Sequence, residues 1–143
     1  MMAPRLATRS DIPAMHAVRL AVRENALTTS AITEASYLPA IEGTGRGWVI
    51  ESDGEVLGFA VGNATTGNIW ALFVHPDHER RGFGRALLNT MVAWLFAQGL
   101  PRLHLTTASG TRAERFYASA GWSRVGSDAR GDAVFELHAD ARR

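Results

Sequence analysis

Apolar residues recur along this chain in two rhythms, and the switches between them predict its elements. Arg5 to Thr8 opens as a short strand, and Ser10 or Asp11 then caps a helix that tolerates Pro13 in its first turn. Ile12, Met15, Val18 and Val22 follow at helical spacing and carry that helix to about Glu24. A weaker helix is predicted between Thr33 and Glu42, ended by the Gly43, Gly45 and Gly47 cluster. The rhythm then becomes that of strands: Gly47 to Glu51 and Val56 to Val61 flank Asp53-Gly54, a pair suited to a tight hairpin turn. After a second turn at Asn63 to Gly67, the run Asn68 to His75 reads as a strand stopped by Pro76-Asp77. Phe83, Leu87, Met91, Trp94 and Leu95 form one apolar stripe, which predicts a helix from about Arg81 to Gln98, terminated by Gly99 and Pro101. Leu103 to Thr107 alternates like a strand, and Thr111 with Glu114 makes a capping box for a short helix through Ala120. Trp122 to Val125 and Ala133 to His138 complete the set as two strands.

The expected fold is therefore mixed α/β: a mostly antiparallel sheet of about six or seven strands with four helices. Hairpins imply antiparallel pairing, and the strand–helix–strand unit around Arg81 to Gln98 implies one parallel pair. With 143 residues and neither repeat nor linker, one domain over residues 4–138 is expected.

Composition narrows the chemistry. No cysteine is present, which excludes disulfides and thiol catalysis, and no His/Asp/Glu group has ligand spacing, so no metal is expected. The longest apolar run, Met91 to Ala97, is far short of a membrane span, and the N-terminus lacks the layout of a signal peptide. A cytoplasmic domain with no membrane partner is the expectation. All 15 basic residues are arginine, yet the net charge is only +1 and no basic stripe exists, so a nucleic-acid partner is not expected. A homodimer is compatible with the chain.

The most informative stretch runs from Val74 to Leu88. Gly82 and Gly84 stand where a helix opens directly after a strand, a place where free backbone N–H groups and the helix dipole attract anions. Arg80, Arg81 and Arg85 crowd that first turn, although the dipole disfavours cations there by about 0.3–1 kcal/mol each. Three cations so placed make sense if a phosphate group must be held. The dinucleotide fingerprint fails because Leu87 stands where its third glycine belongs, and the nucleotide-triphosphate loop fails for want of a lysine.

Two motifs then carry a family resemblance. Glu79-Arg80-Arg81-Gly82-Phe83-Gly84 is similar to the Gln/Arg-x-x-Gly-x-Gly/Ala loop of the GCN5-related N-acetyltransferase (GNAT) superfamily. The segment from Ala113 through Phe116, Tyr117 and Gly121 to Trp122 resembles that superfamily's Ala-x-x-Phe/Leu-Tyr-x-x-x-Gly-Phe pattern. The element order matches from about Pro4 to His138. The resemblance implies acetyl-CoA as cosubstrate, lying where the Asn68–His75 strand bulges and splays from the Leu103–Thr107 strand. It assigns the pantetheine arm to main-chain groups of Leu72, Phe73 and Val74, with an N–H near Phe73 or Val74 as oxyanion donor. Arg80, Arg81, Gly82, Phe83, Gly84 and Arg85 would hold the pyrophosphate, and Tyr117 would protonate the departing thiolate. Three positions depart from the pattern. Glu79 replaces Gln/Arg, Gly110 stands where many members carry Asn, and Asn68 takes a strand position where some histone-modifying members have a catalytic Glu.

The implied reaction is direct attack of an amine, on a small molecule or a peptide, on the acetyl thioester. An amine that titrates near 10.4 is neutral at pH 7 only at a cost of roughly 4.6 kcal/mol, unless a base or a desolvating site assists. Glu24, Asn68 and Trp70 are the candidate acceptor-side residues, with Trp48 as a further aromatic. His75 is expected to cap the turn at Pro76 and His104 to be a satisfied sheet residue, while His16, His78 and His138 show no partner in the sequence. The competing reading is a sensor or regulatory module that binds acyl-CoA without turnover.

Overall fold

The computed structural model describes residues 3–22 and 32–142. In chain order the elements are β1 (Arg5–Leu6), α1 (Ile12–Ala21), α2 (Tyr37–Glu42), β2 (Gly45–Ser52), β3 (Glu55–Asn63) and β4 (Ile69–Val74). There follow α3 (Phe83–Ala97), β5 (Arg102–Thr107), α4 (Arg112–Ser119), β6 (Ser123–Ser127) and β7 (Ala133–His138). Strands β1-β2-β3-β4 form one antiparallel sheet and β5-β7-β6 another. Among the described residues a single parallel bridge, Asn68 to His104, joins the two. The expected sheet of about seven strands is thus present, split where the splay was expected. Among the described residues, no helix is long and apolar enough to cross a membrane.

Most departures from the expected boundaries have local causes. The first strand stops at Leu6 because the Thr8 N–H turns inward to donate to the Asp11 carboxylate, 2.8 Å away. Asp11 also takes both Nη groups of Arg5 at 2.9 Å, while Arg5 Nε donates to Glu51 at 2.7 Å. This network locks the start of α1 to the edge of β2, and the Arg5 guanidinium holds the Asp11 carboxyl below its ordinary range. Helix α1 ends at Ala21, and Glu24 lies outside the described residues. Helix α3 begins two residues later than the apolar stripe suggested, because Arg80 and Gly82 both have positive φ. Gly45 is a strand residue rather than a helix stop. A Cβ there would stand 1.8 Å from the Gly62 carbonyl oxygen, so only glycine lets β2 and β3 approach at that end. The Asp53-Gly54 turn is as predicted, with φ of 53° and 80°.

Two apolar layers hold these pieces together. Ile12, Met15 and Val18 of α1, with Tyr37 and Ile41 of α2, bury one face of the first sheet against Val49, Phe59 and Val61. On the other face, Leu87, Met91 and Leu95 of α3 pack on Ile50, Leu57 and Ala60 and continue onto Leu103, Leu105 and Phe135 of the second sheet. Helix α3 therefore bridges both sheets, and its N-terminus sits beside the gap between them. Trp48 belongs to this second layer, 5.6 Å from the Trp94 ring, and does not face the gap.

Candidate functional site

Strand β4 decides the geometry of the gap. Its register with β3 slips between Val61 and Gly62, so that Trp70 is the extra residue of a bulge. Strict alternation would put Trp70 and Ala71 on opposite faces. The bulge instead leaves both among the residues packed around α1 and α2. Beyond it, the His75 N–H donates to Leu57 at 2.8 Å, which marks the 57/75 and 59/73 pairs as the hydrogen-bonded ones. The Phe73 main chain is thereby committed to β3, while the N–H and C=O groups of Leu72 and Val74 point away from it, into the gap.

Two cavities meet at this gap. The larger, about 640 Å³, lies between α3 and α4 and is lined by Leu72, Val74, Arg80, Gly82, Phe83, Gly84, Arg85, Phe116 and Tyr117. The smaller, about 170 Å³, lies between β4 and β5 and is lined by Arg19, Trp70, Phe73, Thr106, Thr107 and Tyr117, among others. Leu72, Ala113 and Tyr117 line both, so the two form one passage with Tyr117 at the junction.

The α3 end of the passage has the features of an anion cradle. Gly82 occupies the cap position with φ 82° and offers no side-chain acceptor, and the first helical bond runs from the Ala86 N–H to the Gly82 carbonyl. The N–H groups of Phe83, Gly84 and Arg85 thus have no acceptor within the helix. A Cβ on Gly84 would meet Phe116 and Val74 only at 3.7 Å, an ordinary contact, so the protein itself does not require glycine there. Arg80 and Arg85 line the cavity, Arg85 lying 5.7 Å from the Phe116 ring centroid. Arg81 is exposed and is not among the lining residues. Glu79 engages Arg112 with both carboxylate oxygens and ties the loop before α3 to the first turn of α4.

Helix α4 presents Tyr117. Thr111 caps it by accepting the Glu114 N–H at 3.3 Å, but the Glu114 carboxylate accepts from Gly110 at 2.7 Å rather than completing the box. Gly110 has φ 77°, a conformation open to glycine and tolerated by asparagine. The Tyr117 ring is buried among Phe116, Trp122 and Phe135, with centroids 5.2, 5.7 and 6.1 Å away. Burial alone pushes its hydroxyl pKa well above the ordinary tyrosine value.

The acceptor-side candidates separate. Trp70 lines the smaller cavity; Asn68 does not, being occupied with the His104 carbonyl at 3.4 Å. His75 closes the turn by accepting the Asp77 N–H at 3.1 Å, as expected. His16 and His138, without visible partners in the sequence, meet the Tyr37 hydroxyl at 3.1 Å and Glu136 at 3.0 Å. Sequence reasoning missed Arg19. It stands four residues after Met15, inside the apolar stripe of α1, and a lone arginine within such a stripe was the available signal. Among the described residues, no group of three or more His, Asp or Glu could hold a metal.

The profile of the Acetyltransferase (GNAT) family matches residues 14–122. The chain belongs to that family. An acetyltransferase of Pectobacterium atrosepticum is 37% identical over 59 residues, covering 40% of this chain and 42% of the relative. The chain thus matches less than half the length of that relative. A GCN5-related N-acetyltransferase from Rhodopseudomonas palustris superposes with a TM-score of 0.80 at 20% identity, covering 96% of each chain. The PaiA N-acetyltransferase of Thermoplasma acidophilum, in complex with coenzyme A, gives 0.79 at 14% identity, covering 96% of this chain and 99% of that one. At such identities the likeness concerns the GNAT fold.

Proposed function

We propose that residues 4–138 form an acetyl-CoA-dependent N-acetyltransferase acting on an amine of a small molecule or peptide by direct attack. The observation that carries this reading is the continuous passage from the α3 cradle, past the outward-facing edge of β4, to Tyr117 and the smaller cavity. The residues present fit the cosubstrate. Three free N–H groups with Arg80 and Arg85 suit a pyrophosphate, and the cavity leaves Gly84 uncovered on that side. The outward N–H and C=O groups of Leu72 and Val74 suit the amides of a pantetheine arm, as an added strand would pair. When bound, acetyl-CoA supplies an acyl group already activated as a thioester.

The chain's own residues do the rest. Of the two candidate oxyanion donors, the Val74 N–H is the one left free by the strand alternation, so it would take the charge that develops on the thioester oxygen. Tyr117, protonated at neutral pH as tyrosines are, would donate its proton to the leaving sulfur from the junction of the two cavities. Glu24 would act on the acceptor side.

The test has two steps. Acetyl-CoA and CoA should each raise the melting temperature, by about 2.7 kcal/mol of stability at 100 times the dissociation constant. A panel of amines should then release CoA from acetyl-CoA. No thermal shift with either ligand at millimolar concentration refutes the assignment of the cradle. A shift without CoA release from any amine favours a binding module.

A further inference from the structure

We propose that Arg19 reads a carboxylate on the acceptor, so that the amine acetylated belongs to an amino-acid-like or acidic peptide substrate rather than to a simple polyamine. This rests on the acetyltransferase reading above. Arg19 is 5% exposed, and its Nε and Nη2 have no hydrogen-bond partner among the described residues. Its guanidinium carbon lies 4.8 Å from the ring centroids of both Trp70 and Phe73, so the planar group is held between aromatic rings at the wall of the smaller cavity.

Stacking accounts for the faces of the guanidinium and the Tyr37 side chain favours its charge, but neither accounts for Nε and Nη2. Cation–π contacts partly offset the loss of water, yet N–H donors that are buried and unpaired remain costly. Desolvation lowers the pKa of Arg19 from its ordinary value, but arginine stays charged at neutral pH. The two unsatisfied nitrogens are also informative together. Nε and one Nη form one side of the guanidinium fork, the side whose parallel N–H bonds match two carboxylate oxygens. No acidic residue lines this cavity among the described residues, so none of those supplies a counter-charge there.

Size and charge narrow the class further. A cavity of about 170 Å³ is below the roughly 300–1,000 Å³ typical of drug-sized ligands, so the acceptor group that enters is small. Among the described residues Arg19 is the single basic one lining it, which suits a monoanion better than a phosphate dianion. The bulge at Trp70 makes the arrangement possible, because it places Trp70 on the α1 side of the sheet with Phe73.

The experiment compares binding to the CoA-loaded protein, by calorimetry, of three sets of amines: the free amino acids, their carboxamides, and tripeptides with an acidic residue. The expected result is at least tenfold tighter binding of a carboxylate-bearing amine than of its carboxamide. Arg19→Met should erase that difference while still binding acetyl-CoA, and Arg19→Lys, which keeps charge but loses the fork, should restore only part of it. Preference for free amino acids identifies an α-carboxylate, and preference for acidic peptides a side-chain carboxylate; either supports the inference. Equal binding of acid and amide across the panel overturns it, as does acid preference that survives in Arg19→Met. The wild-type comparison does not depend on any variant folding. A normal acetyl-CoA shift alongside equal acid and amide binding would leave the acetyltransferase reading standing and remove only this one.

Discussion

Replacing Gly84 separates what the fold requires from what the ligand requires. In the first turn of α3 a glycine costs about 0.5–1 kcal/mol relative to alanine, through the freedom it loses on folding. Because the new Cβ would meet Phe116 and Val74 at 3.7 Å, no strain opposes that gain. Gly84→Ala should therefore raise the melting temperature of the ligand-free protein by about 1–3 °C, at about 3 °C per kcal/mol for a chain of this size. A methyl group is compatible with a phosphate there, since the motif carries Gly or Ala, but the branched side chain of Gly84→Val would fill the passage between α3 and α4 where a phosphate approaches the backbone. Acetyl-CoA at 100 times the wild-type dissociation constant stabilises the wild type by about 2.7 kcal/mol; if binding weakens a hundredfold, the gain falls to about 0.4 kcal/mol. The ligand-induced shift of Gly84→Val thus drops from about 8 °C to about 1 °C, while Gly84→Ala keeps most of it on a raised baseline. Differential scanning fluorimetry with and without acetyl-CoA reads both numbers on one sample. A valine variant with the full wild-type shift would refute the cradle, whereas the alanine variant tests the ligand-free fold. A lower ligand-free melting temperature would instead show that the backbone at Gly84 is under a constraint the structure does not reveal.

Two further substitutions have definite expected outcomes. Tyr117→Phe keeps the ring packing, so acetyl-CoA affinity should change by less than about 1 kcal/mol while turnover falls by about 10²–10⁴. The burial-raised pKa of Tyr117 places its stability contribution below pH ~10, lost as pH rises toward the folded value, so Tyr117→Phe should flatten the alkaline limb of a melting-versus-pH curve. Asp11→Asn should cost about 1–2 kcal/mol at pH 7, discounted because the Arg5 side chain is 39% exposed. Asp11 has a depressed pKa, so its contribution is present above pH ~4 and lost as pH falls. The wild type and the variant should therefore converge in stability under acid, and a constant gap down to pH 2 would count against the ion pair.

Much of this architecture was legible because it is local. Helical and strand periodicity located the main elements, Asp53-Gly54 signalled its hairpin, and the glycines and arginines before α3 signalled a cradle within a few residues of one another. What stayed hidden depends on pairs far apart in the chain. The bulge that turns Trp70 inward is a mismatch between β3 and β4, invisible in the alternation of β4 alone. Arg19 gains its meaning only when Trp70 and Phe73 close over it, about fifty residues later in the sequence. Glu79 showed only as a departure from the Gln/Arg of the motif, yet its side chain reaches Arg112 across an interval that no motif records. Likewise His16 meets Tyr37 because two helices share one sheet face, not because of any spacing between them.

The gap between β4 and β5 leaves two strand edges facing each other with, among the described residues, a single bridge between them. An unpaired edge is a template for any extended segment that drifts past, and proteins ordinarily blunt such edges with charges, prolines or a covering element. Strand β4 reads Ile-Trp-Ala-Leu-Phe-Val, with neither charge nor proline, so among the described residues this edge is left to whatever fills the gap. The ligand then has a second physical effect besides reactivity: it occupies a sticky edge and keeps other chains away. The shelf life of the purified protein should accordingly track the coenzyme A content of its buffer, with association and turbidity rising as ligand is dialysed away, even at temperatures far below melting.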